Sequence, residues 1–329
     1  MVTWVQSELR GYQQDYRNWR AKLARKQCGL SDLLAGRHTD ERNSVVHDLK
    51  VLGIVAVAYV FLLFATSFIP LGFDWKAYFD IKVLPSFWMP WAMPVLYLVS
   101  PQALSSAAIL GTALRIYQLH GSMRRFPLAL LSLPMLWLLF KSDVDGLALM
   151  GLVTLPYGAP LLLLKPQLGA FALLANRRYF AAGAIWGLIS IVFWGLWFTR
   201  LQFVSEPQWH IDWPQDISVF PWGILLALPL LWLGRGDADM LMAAGSFATP
   251  HLFPYAFVLV MPAISRMSWP WAILCWAISF APLLANWWGP WAWHLGNLLG
   301  LCLWLGLYVN KRKRALLALR ASMPLSTAT

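Results

Sequence analysis

Charge is scarce along most of this chain, and that scarcity limits what it can fold into more than any other feature. Only 12% of its 329 residues are Asp, Glu, Lys or Arg, and 59% are hydrophobic; soluble domains carry about 25% charge. Nine of the 26 basic residues fall in residues 1–50 and five more between Lys311 and Arg320, so the middle lacks the charge needed to cover a surface facing water. That middle is expected to face lipid. The 21 Trp fit this expectation, because an indole satisfies both its apolar body and its N–H at a membrane interface. The net charge of +11 collects at the termini and in short loops, where it sets orientation rather than binding nucleic acid. Cys28, Cys275 and Cys302 lie far apart, which excludes a disulfide framework or zinc knuckle and leaves them as packing residues.

Residues 1–47 form a basic cytoplasmic region. Val5, Leu9, Tyr12, Tyr16, Trp19 and Leu23 recur at spacings of three and four, with Arg10, Arg17, Arg20, Lys22, Arg25 and Lys26 on the other faces. This is the pattern of an amphipathic helix lying on an anionic leaflet, or packed against a partner. No secretory leader is expected, since these residues lack its short charged-then-apolar pattern. Residues 48–310 are read as the transmembrane domain and 311–329 as a basic cytoplasmic tail. Positive-inside bias puts both ends in the cytoplasm of a multi-pass cell (inner) membrane protein.

The expected fold is an all-α polytopic membrane protein with about eight full crossings and two broken or re-entrant helix pairs. Spans of about 20 apolar residues are sought at 50–71, 102–119, 126–140, 146–158, 180–199, 218–234, 269–285 and 288–309, with an interfacial helix at 86–99. The broken pairs are placed at Lys165-Pro166-Gln167 and at Thr249-Pro250-His251, where proline removes backbone hydrogen bonds. Broken backbone at membrane depth needs a protein-lined or watery cavity.

Lys165 is the most expensive residue to hold in such a cavity. It suits an anionic ligand, a phosphate or carboxylate; the alternatives are an ion pair with an acidic residue or snorkelling to an interface. His251 is either a cavity residue or a hydrogen-bonded structural group. Asp74, Asp80, Asp143 and Asp145 are expected at the outer face, where a carboxylate could serve as general base while a cation holds a departing phosphate. Asp143 and Asp145 also sit where a helix starts, which suits caps. No Gly-rich phosphate loop, His-Glu-x-x-His, serine elbow or metal cluster is found, so no cofactor or metal site is expected, although the four outer carboxylates could hold a divalent cation weakly.

The order of Phe73-Asp74-Trp75-Lys76-Ala77-Tyr78-Phe79, Pro90-Trp91, Asp143-Val144-Asp145-Gly146-Leu147, Leu164-Lys165-Pro166-Gln167-Leu168-Gly169, Thr249-Pro250-His251 and Pro254-Tyr255 resembles the GT-C glycosyltransferases. The likeness is to the polyprenol-phosphate-mannose-dependent alpha-mannosyltransferases and their short bacterial relatives, and it covers roughly residues 50–265. It implies a GT-C-like fold with an active site at the outer membrane face, and transfer of a sugar such as mannose from a polyprenyl-phosphate donor. Asp74 takes the base position by motif match. Lys165 and Gln167 would lie near the carrier phosphate, with Asp143, Asp145 and His251 lining the cavity. The sequence departs from the family in its short external loop, in Met89-Pro90-Trp91 where a double proline is common, and in Ser142-Asp143 where relatives often show Gly-Asn. Two rival readings remain: a non-catalytic membrane subunit docked in a larger protein complex, and a transporter of a lipid or anionic solute.

Overall fold

The computed structural model describes residues 41–68, 89–200 and 215–322. Every regular element among them is helical. The chain divides into two compact units, Met1–Ala58 and Tyr59–Thr329. Of the first, the described part is helical from Glu41 onward; the second holds both sites described below. The amphipathic pattern at residues 5–26 lies outside the described residues.

Proline sets the rhythm of the fold. The helices are α1 (Glu41–Thr66), α2 (Ala92–Leu98), α3 (Pro101–Gln118), α4 (Phe126–Leu130), α5 (Leu133–Lys141), α6 (Asp145–Val153), α7 (Ala159–Leu162), α8 (Pro166–Leu173), α9 (Arg177–Trp194), α10 (Ile224–Leu233), α11 (Ala238–Gly245), α12 (Trp269–Ile278), α13 (Ala285–Trp288) and α14 (Asn297–Ser322). Two 3-10 helices, Pro254–Leu259 and Met261–Arg266, join α11 to α12. A proline stands in the first turn of α3, α4, α5, α7, α8 and α12 and of both these 3-10 helices. A fixed φ starts a helix well, and the missing N–H and ring clash stop the preceding one from continuing.

This punctuation overturns the expected GT-C-like arrangement of about eight crossings. Among the described residues two stretches, Trp269–Trp288 and Pro290–Lys313, are long and apolar enough to cross a membrane. They become three if Met123–Leu130 and Leu133–Lys141, bent by 59°, count as one. These spans associate the chain with a membrane. The other expected crossings fail for identifiable reasons. Residues 146–158 contribute only the nine-residue α6, and 218–234 only the ten-residue α10. Helix α3 spends much of its surface on burial inside the protein, and α9 opens on Arg177 and Arg178. Helix α1 runs for 26 residues and carries the apolar stretch Gly53–Thr66.

The centre of the larger unit is the 3-10 run. Every residue from Pro254 to Ser265 is buried, packed among α5, α6, α8 and α14. Its far end is held by charge. Arg266 donates to Asp237 and to Asp239 Oδ2 at 2.7 Å, while Arg115 on α3 reaches Asp239 Oδ1 at 2.8 Å. Burial opposes ionisation of Asp237, but Arg266 and backbone N–H donors outweigh it and hold the carboxyl below its usual range. The two spans touch through Cys275 and Cys302, whose thiols lie 3.2 Å apart.

Helices α3 and α6 approach closely because their facing residues are small. A side chain at Gly146 would put its Cβ 2.5 Å from the Leu104 carbonyl oxygen and 3.1 Å from Ala108 Cβ. Gly146→Ala is therefore expected to destabilise by about 1–3 kcal/mol through overpacking against rigid backbone. At Gly187, in the middle of α9, nothing lies within 4 Å, and alanine should stabilise by up to about 1 kcal/mol. Thermal melts of the two variants in detergent separate these outcomes, and equal shifts would contradict the close approach.

Candidate active site

The first elements of the site come from the turn between α5 and α6. Helix α5 ends on Ser142 in the left-handed conformation (φ 56°), and Ser142 Oγ meets Ser105 Oγ at 3.2 Å. Residues beyond this reversal project back toward the helix break at residue 165, so that Asp143 and Asp145 share one target.

That target is Lys165. Helix α7 stops at Leu162, α8 starts at Pro166, and Lys165 between them is extended (φ −140°, ψ 90°), the conformation favoured before proline. Its Nζ donates to Asp143 Oδ2 at 2.6 Å and to Asp145 Oδ2 at 2.7 Å. It also lies 4.0 Å from the centroid of the Tyr255 ring, a favourable place for a cation. All three charged side chains are buried.

Among the described residues one ammonium faces two carboxylates, which leaves an excess negative charge in a poorly solvated place. Burial, joined by the neighbouring Asp143, pushes Asp145 up to about 7 against the pull of Lys165. For Lys165, burial favours the neutral form, but the two carboxylates outweigh it and hold the ammonium above the usual lysine range.

A second pair lies along the same aromatic seam. Tyr255 stacks on Phe253, with centroids 5.4 Å apart, and Phe253 meets the edge of the His251 ring at 4.6 Å. Lys141 Nζ stands 5.3 Å from Tyr255 and 5.9 Å from Phe253. His251 Nδ1 lies 2.7 Å from Asp216 Oδ2, while Asp216 Oδ1 accepts from the backbone of Ser218 and Leu252. Burial raises Asp216, but His251 and these donors outweigh it and keep its pKa low. A carboxylate on one imidazole nitrogen fixes the ring and directs the other nitrogen.

The two helix breaks are tied together. Thr249 Oγ1 donates to the Gln167 carbonyl at 3.1 Å, and Ser218 Oγ donates to the Thr249 carbonyl at 2.6 Å. Among the described residues Gln167 Oε1 is buried without a hydrogen bond.

Of the residues read from sequence, Asp143, Asp145 and Lys165 therefore meet directly. Gln167 joins them through the chain and its link to Thr249. His251 sits on the same aromatic seam, paired with Asp216. Asp74 and Asp80 lie outside the described residues. Sequence reasoning missed Asp216, Tyr255 and Lys141 as site residues. Tyr255 stood inside a quoted motif, but Asp216 gave no signal except that a buried histidine usually needs an orienting acceptor. Trp91, expected at an interface, is instead buried against Trp186 and Trp197, and its Nε1 donates to the Pro160 carbonyl. Among the described residues no group of three or more His, Cys, Asp or Glu side chains is placed to hold a metal ion. Comparison with protein-family models, with curated proteins and with solved structures finds no match to this chain.

Two measurements probe the cluster. Lys165→Met leaves two buried carboxylates without their cation and should destabilise by about 3–5 kcal/mol; adding Asp143→Asn and Asp145→Asn should recover a large part of that loss in a denaturant or thermal melt. No recovery would mean that Lys165 acts through packing alone. The second measurement uses pH. A carboxyl whose pKa is raised on folding binds its proton more tightly in the native state, so its contribution to stability is lost as pH rises from about 4 toward 7. Asp145→Asn should flatten the dependence of melting temperature on pH across that window, whereas an unchanged slope would assign it to other groups.

Proposed function

We propose that this chain is a membrane glycosyltransferase that moves a sugar, such as mannose, from a polyprenyl-phosphate carrier to an acceptor. Its reading as a relative of the lipid-phosphate-sugar-dependent enzymes rests on the motif order set out above. The observation that carries the proposal is the meeting of three separated motif segments. Asp143 and Asp145 close on Lys165, Tyr255 lies beneath it, and Thr249 bonds the chain at Gln167.

In the proposed reaction Asp74 takes the proton of the acceptor hydroxyl as its oxygen bonds to the anomeric carbon. The bond from that carbon to the carrier phosphate breaks, and the phosphate leaves with the bonding pair. Lys165 is the residue suited to the growing charge on the leaving oxygen, because a cation fixed in a poorly solvated site acts without reorganising solvent. Asp143 and Asp145 keep Lys165 charged and aimed while the carrier is absent. A proton on Asp145 near neutral pH would lower the negative charge that an incoming phosphate meets. Gln167 and His251 complete the wall of the site. The basic residues of the N-terminal region and of the tail favour a multi-pass arrangement in the cell membrane with both ends cytoplasmic.

The second reading, a non-catalytic membrane subunit, is favoured by the engagement of Lys165 with two carboxylates. One experiment separates the two. Membranes carrying the full chain are supplied with radiolabelled polyprenyl-phosphate mannose, and transfer to endogenous acceptors is measured. Asp74→Asn should reduce transfer by about 10²- to 10⁴-fold, the usual contribution of a general base, while leaving the melting temperature unchanged. Transfer indifferent to Asp74→Asn, or absent from a wild-type chain that co-purifies with other proteins, would favour the subunit.

A further inference from the structure

The ends of the spans gather at one place distinct from this site. Met123 starts the bent pair, Trp269 starts the first span, and Lys313 ends the second. A cavity of about 490 Å³ opens among the residues at those three ends, within the 300–1,000 Å³ range of small-ligand sites. Its lining contains His120, Arg125, Arg266 and Lys313 and no acidic side chain. Arg266 is committed to Asp237 and Asp239. Among the described residues neither Arg125 nor Lys313 meets a carboxylate.

The wall of the cavity is fixed. The Ser265 carbonyl accepts from the Ser122 backbone at 3.1 Å and from Arg125 Nη1 at 2.7 Å. The Arg125 guanidinium also stands 5.5 Å from the Trp269 ring. Behind this wall Arg125 Nε and Ser265 Oγ are buried without a hydrogen bond among the described residues, Ser265 Oγ packed against Gly121. Asn310 closes the rim and donates to the Arg266 carbonyl at 2.6 Å. The result is a preformed basic concavity at the ends of the spans.

We propose that this cavity binds the phosphate of an anionic lipid headgroup. The chemistry required is that of any phosphate anion: delocalised charge and several acceptor oxygens, matched by a guanidinium and an ammonium. The position selects the lipid as its source. Span ends lie at headgroup depth, and basic pockets between spanning helices are suited to anionic headgroups. A headgroup also presents its phosphate at high local concentration, which a soluble ion does not.

The test uses the full chain in nanodiscs made from equal parts phosphatidylglycerol and phosphatidylcholine. The lipid retained after detergent extraction is quantified by mass spectrometry. The wild type should retain phosphatidylglycerol over phosphatidylcholine by roughly tenfold, and the preference should shrink as ionic strength rises. Arg125→Gln with Lys313→Gln should abolish it, and Arg177→Gln with Arg178→Gln, which removes two surface cations elsewhere, should leave it intact. If Arg125→Gln fails to fold, Lys313→Glu, at an exposed position, should still reduce the preference severalfold. Equal loss in the Arg177/Arg178 control, or a preference that survives Lys313→Glu, would overturn the proposal. A parallel melt with inorganic phosphate distinguishes the source. A shift as large as that given by phosphatidylglycerol micelles at the same phosphate concentration would assign the cavity to a soluble ion and overturn the lipid reading.

Discussion

A lysine between two aspartates, all buried, holds together segments that the backbone alone would leave separate. Lys165 sits in a gap between helices, Asp143 and Asp145 flank a turn some twenty residues earlier, and Tyr255 comes from the central 3-10 run. Removing charge from water is expensive enough that such groups persist only when each has partners. The arrangement therefore constrains geometry more than it adds stability. If Lys165 moves, two carboxylates lose their cation, so the turn after α5, the gap before α8 and the buried run have to keep their positions together.

The same logic operates at the other end of that run. Arg266 finishes the sequence of buried 3-10 turns and is gripped by Asp237 and Asp239, while Arg115 ties Asp239 back to α3. A 3-10 helix has poorer hydrogen-bond geometry than an α-helix and is seldom long. Two in succession, from Pro254 to Arg266, survive here between an aromatic contact to Lys165 at one end and paired carboxylates at the other. This central strip of backbone, weakly self-supporting, is held at both ends by charge.

The association with a membrane was legible in the scarcity of charge, and the interruption at Lys165 was legible in the proline that follows it. The number of spans was not. A window of apolar residues does not distinguish a helix facing lipid from one buried in its own protein. The expected crossing near 102–119 turned out to be α3, whose Ser105, Ser106, Gly111 and Thr112 pack inward. The run at 254–266 is apolar because it is the core. Within the site, Asp143, Asp145 and Lys165 were named from motif and charge, but their contact depends on chain reversal that no local pattern encodes. The pairing of His251 with Asp216 joins residues 35 positions apart, through a loop aspartate that looked like any other solvated carboxylate. Asp74 belongs to the sequence reading alone.

Ser142 carries a consequence beyond its own turn. A non-glycine residue with positive φ is uncommon, because its Cβ crowds the backbone. Here that conformation ends one helix and starts the path along which Asp143 and Asp145 leave it. The handedness of one peptide unit thus sets the aim of two carboxylates. Glycine or asparagine could take its place with little distortion, whereas valine or isoleucine would strain the turn and misdirect both acids while leaving the composition of the site unaltered.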